Sequence, residues 1–70
     1  MSKHYTADNI TDEQIRSLYD VLRDTHKNRM MLHIALYGPS QREANAGHTQ
    51  AKARARCAEI INARATEGKS

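Results

Sequence analysis

Residues 49–61 read TQAKARARCAEII, alanine alternating with lysine and arginine. A period of two fits a strand, but Ala, Lys, Arg and Glu favour helix. At about 100° per residue the alternation dissolves. On a helix beginning at residue 41, Ala44, Gly47, Ala51, Ala55, Ala58 and Ala65 fall on one face. Ala46, Ala53, Cys57 and Ile60 fall on another, with Ile61 between. Lys52, Arg56 and Glu59 share a narrow polar sector, where Arg56 and Glu59 pair at i,i+3. Arg42, Arg54 and Arg64 lie outside it, so the basic residues make no single stripe of the kind a helix lying on phosphates presents. The stretch reads as a packing seam. Ala44, Gly47, Ala51, Ala55, Ala58 and Ile61 are expected to let a second copy approach closely.

Upstream, Thr11 and Gln14 form a capping box, T-x-x-Q, with Ile10 and Ile15 spaced as a hydrophobic staple. Asp12 and Glu13 occupy the first turn, where the helix dipole favours them. Ile15, Leu18, Tyr19 and Leu22 follow at helical spacing. DTHKN, residues 24–28, marks a break or kink between this helix and the next. YGPS, residues 37–40, is a stop, since Gly38 suits a left-handed cap and Pro39 cannot continue the helix. Ser40 and Glu43 open a second capping box. The chain is therefore expected to be all-α, with two or three helices over 12–24, 27–37 and 41–66. A helical hairpin that oligomerises through its last helix is expected. Residues 1–9 read as a flexible arm, 10–67 as one helical domain and 68–70 as a tail.

The chain has 70 residues, and Leu, Ile, Val and Phe together number ten. That is below the roughly 20 % at which disorder begins to compete with folding. A core this small seldom stands alone without disulfide, metal or oligomerisation. Cys57 is the only cysteine, so oligomerisation is the remaining route. A lone thiol, no leader-like apolar run and no membrane-length apolar stretch together predict a cytoplasmic protein. Residues 1–40 carry five basic and five acidic side chains, and residues 41–70 carry six and three, so the whole net charge of +3 resides in the second part.

No constellation for catalysis is visible. His26 and His33 are seven apart, about 10 Å along an unbroken helix and too far to share an ion. His4 and His48 have no partner at ligand spacing, and Cys57 has no C-x-x-C companion. His48, nine residues before Cys57 on one helix, is out of reach as its base. No metal, no cofactor and no enzymatic activity are expected. The candidate ligand contacts are Tyr37 at a helix end, Ser40 at a helix start, Arg42 one turn in, and Arg54. Helix starts attract anions. An arginine beside an apolar arc presents a planar fork to carboxylate or phosphate.

NITDEQIRSLYDVLRD (residues 9–24) and ARARCAEIINARA (residues 53–65) resemble a scattered group of short phage and bacterial proteins. These open with ITDEQIRALR and close with an Ala/Arg-rich helix. Residues 38–64 are also similar, more faintly, to a segment of small helical phage proteins that sequester cyclic dinucleotides. The matching positions are Pro39, Arg42, Glu43, Thr49, Ala58 and Arg64. The resemblances imply a small non-enzymatic phage or mobile-element protein that antagonises a defence component of a bacterial host. Its partner would be a host protein or a nucleotide second messenger. The basic second part and a pI of about 9.4 give the alternative of a nucleic-acid-binding accessory protein. A purely structural helical adaptor is the third reading. No membrane partner is expected.

Overall fold

The computed structural model describes residues 4–67, with side chains described through Arg64. The described chain is all-α, and its four helices are α1 (Asp12–Leu22), α2 (His26–Tyr37), α3 (Gln41–Asn45) and α4 (Gln50–Glu67). The expected 68–70 tail lies outside the described residues.

Thr11 caps α1 as its sequence suggests. Its hydroxyl accepts from the Gln14 N–H at 3.2 Å, and the Gln14 side chain accepts from the Thr11 N–H at 3.0 Å. Both staple residues, Ile10 and Ile15, are buried. The chain breaks at DTHKN: Thr25 takes the N-cap of α2 and accepts from the Asn28 N–H at 3.1 Å. Arg29 ties the turn by donating to the Arg23 carbonyl at 2.5 Å. α2 ends at Gly38, whose φ is +90° and whose N–H donates to the Ile34 carbonyl at 2.8 Å.

The helix expected over 41–66 is divided. After five residues, α3 closes in a Schellman pattern. His48 N–H donates to the Glu43 carbonyl and Gly47 N–H to the Ala44 carbonyl, both at 3.0 Å, with Gly47 at φ +96°. Thr49 then restarts the helix, its hydroxyl accepting from the Lys52 N–H at 3.1 Å. A glycine free to turn left-handed, followed two residues later by a capping threonine, outweighs the helix propensity of the alanines around it.

α2 is the middle of the molecule. Leu32 and Ile34, about 200° apart around the helix axis, are both fully buried, so α2 packs on two sides, against α1 and against α4. Its exposed residues are the row His26, Arg29, His33 and Tyr37, with Lys27 standing off it. α2 and α4 are antiparallel: Gln50, at the start of α4, donates to the Ala35 carbonyl at 3.2 Å near the end of α2. The core joins Ile10, Ile15 and Leu18 with Leu32, Ile34, Ala35, Ala53, Cys57 and Ala58. Three of these nine are alanines, which let the helices approach closely. Among the described residues no buried side-chain nitrogen or oxygen lacks a hydrogen-bond partner.

Residues 4–9, the described part of the expected flexible arm, fold back along α4. Tyr5 N–H donates to the Asn62 side-chain oxygen, and the Asn62 amide donates to the Tyr5 carbonyl, each at 3.0 Å. A side-chain amide matched to one backbone unit in both directions fixes the register of the segment, and half-buried Tyr5 packs on the core beside it.

Candidate functional site

The sequence singled out Tyr37, Ser40, Arg42 and Arg54 as ligand contacts; the first three sit at the turn between α2 and α3, and Arg54 faces the entrance of α1 instead. Arg54 is committed within the chain. Its guanidinium pairs with Asp12 and donates to the Ile10 carbonyl at 3.2 Å. The planar fork recognises a carboxylate, as its chemistry suggests, but that carboxylate is the chain's own. Ser40 caps α3, accepting from the Glu43 N–H at 3.2 Å. The returning bond from the Ser40 N–H, above all, holds the Glu43 carboxyl below its usual range. Tyr37 is 66 % exposed, with its ring 5.0 Å from that of His33. Arg42 is exposed on α3. Among the described residues no hydrogen bond or ion pair joins these four.

The seam residues are dispersed. Ala58 is buried in the chain's own core, and Ile61 packs against it. Ala44 precedes the break and Gly47 forms it, so neither continues the α4 face. Ala51 is exposed and Ala55 half-buried. The core-facing side of α4 carries Ala53, Cys57 and Ile60, because the larger of these side chains remove more apolar surface from water than alanine does. Cys57 is fully buried, and desolvation pushes its thiol up to about 11. It is therefore a neutral packing group at ordinary pH.

What the fold assembles instead is a groove of about 320 Å³ between α2 and α4. Its apolar lining is Met30, Met31, Ile34 and Ala53. Lys27, His48, Lys52 and Arg56 stand around it, with Asn28 and Thr49. No carboxylate lines it. Arg56 pairs at 3.5 Å with Glu59, the i,i+3 pairing its spacing predicts, but both side chains are about two-thirds exposed and the pair leaves the guanidinium open to water. Lys52 reaches only the Gly47 carbonyl, at 3.4 Å. The first turns of α2 and α4 both contribute to the lining, so the positive ends of two helix dipoles add to the field.

Sequence reading missed this site for a definite reason. Lys52 and Arg56 were recognisable as one polar sector of α4. Their convergence with Lys27 and the two methionines depends on the antiparallel register set by Gln50 on the α2 carbonyls. No local pattern encodes that register. Among the described residues no group of three or more His, Cys, Asp or Glu is placed to hold a metal ion, and no helix is long and apolar enough to cross a membrane.

The class these features define is a small all-α protein with a cation-rimmed apolar groove. No protein-family model, curated protein or solved structure matches the chain.

Proposed function

We propose that this protein works by binding, without catalysis, and that its α2–α4 groove takes an acidic ligand. One observation carries the reading: three cationic side chains, Lys27, Lys52 and Arg56, and no carboxylate surround an apolar lining of a size suited to a specific ligand. A bland solvated surface would intersperse both signs of charge. The resemblance of the chain's two ends to short phage and bacterial proteins supports the setting, in which the ligand is a defence component of a bacterial host, engaged as a protein or through its nucleotide signal. The same basic groove is the strongest support for the alternative of a nucleic-acid accessory role.

The test is capture from host lysate on the immobilised full chain, comparing wild type with the Lys52→Glu/Arg56→Glu double variant at low and high salt. Bound proteins and small molecules are identified by mass spectrometry. The expected result is a ligand retained by the wild type, released by salt and lost from the variant. Capture indifferent to both changes rejects the groove. Loss on Arg42→Ala instead moves the site to the Tyr37–Ser40–Arg42 corner that the sequence suggested.

A further inference from the structure

We infer that the occupant of the α2–α4 groove is an acidic, amphipathic helix of a partner protein. This rests on the acidic-ligand reading of the groove and names the ligand's chemistry.

The length comes first. The lining runs from Lys27 to Ile34 on α2 and, on the other wall, from His48 and Thr49 just before α4 to Arg56 within it. The seven steps from residue 27 to 34 span roughly 10 Å, or two helical turns. A helix laid along such a groove offers apolar anchors at i, i+3 or i+4, and i+7, which cover the same length. The apolar surface that meets them includes two methionines, whose unbranched thioethers adapt to side chains of differing shape.

Charge spacing is the second argument. Lys52 and Arg56 are four residues apart, about 6 Å along α4. Two carboxylates at i,i+4 on a partner helix have the same separation, so both ion pairs form in one register. Lys27, on the opposite wall, faces the other flank of the bound helix.

Competing ligands fit less well. A nucleobase is held best between broad aromatic faces, and the one ring in the groove lining is the small imidazole of His48, with no tyrosine beside it. Both walls are helices whose backbone groups bond within the helix, so an extended strand finds no edge to pair with.

The experiment uses the full chain with carbon-13-labelled methionine methyls. Four probes are titrated: a helical peptide with leucines at i, i+3 and i+7 and glutamates at i,i+4 on its flank; a scrambled peptide of identical composition; a decathymidine strand; and inorganic phosphate. The patterned peptide is expected to shift the Met30 and Met31 methyl signals. Scrambling its sequence, or introducing Lys52→Glu/Arg56→Glu into the protein, is expected to weaken binding by about tenfold. Lys27→Glu tests the opposite wall and replaces the double variant should that one lose its native spectrum. Equal binding of patterned and scrambled peptides overturns the helix. Methyl shifts with decathymidine or phosphate but not with peptide overturn the inference while leaving the acidic-ligand reading intact. No shift with any probe removes both. Methyl shifts that follow the protein's own concentration assign the groove to a second copy and overturn the partner helix.

Discussion

Arg54 shows how one side chain changes meaning between a helical projection and a folded chain. Beside an apolar arc it reads as a ligand contact, whereas in the fold it is a strut holding α4 to the entrance of α1. The Arg54 side chain retains 21 % exposure and Asp12 53 %, so the ion pair itself is screened and worth little. The bond to the Ile10 carbonyl adds a charge-assisted contact. Arg54→Ala is therefore expected to cost about 1 kcal/mol in urea unfolding, and Arg42→Ala less than about 0.5 kcal/mol. Equal effects would dissolve the distinction drawn between them. Cys57 supplies a pH prediction. Its folded pKa, about 11, lies above the ordinary 9.0. The neutral thiol thus contributes stability that is complete below pH 9 and is lost as pH rises toward 11, because the unfolded thiol ionises first. Chemical unfolding across that window should show the decline, and Cys57→Ala should flatten this part of the profile.

At the scale of elements, Gly47 decides how many helices the second part contains. In one continuous helix over 41–66, Gly47→Ala would stabilise by up to about 1 kcal/mol through helix propensity. In the fold described, φ is +96° and no atom lies within 4 Å of an added Cβ, so the change meets open space but a strained backbone. The expected result is a loss of about 1 kcal/mol. The sign of a single measured stability change discriminates the two architectures. The signals for this break, Gly47 as a left-handed cap and Thr49 as a new start, were present in the sequence. They were overridden by an alanine pattern that continues smoothly across them. The break at 23–25 was easier to read because hydrophobic periodicity also lapses there.

At the scale of the molecule, the nine-residue core explains both the economy of the fold and the expectation of self-association. Large apolar side chains are little exposed among the described residues, Val21 and Tyr37 being the exceptions. Any seam on α4 is confined to its outer row, since Ala58 is already used inside. Ala51→Glu tests that proposal by sedimentation velocity. Self-association through the row predicts conversion to monomer, and an unchanged sedimentation coefficient rejects it. Because Ala51 is exposed, the substitution leaves the core intact. The groove variants probe the other face of the same hairpin and should leave stability within about 0.5 kcal/mol, as exposed substitutions do.

The sequence by itself determined the all-α class, the starts of three helices and the stop at Gly38. These depend on capping, left-handed glycine and proline chemistry, which act over a few residues. It also determined the Arg56–Glu59 pair, a local i,i+3 contact. Only the tertiary structure decided that residues 4–9 lie along α4, that Arg54 faces inward to Asp12, and that Lys27, Lys52 and Arg56 surround one groove. Each of these joins residues more than twenty positions apart. Each depends on the antiparallel register of α2 and α4 and on which face of an alanine-rich helix buries more apolar surface, a competition settled by packing and not by propensity.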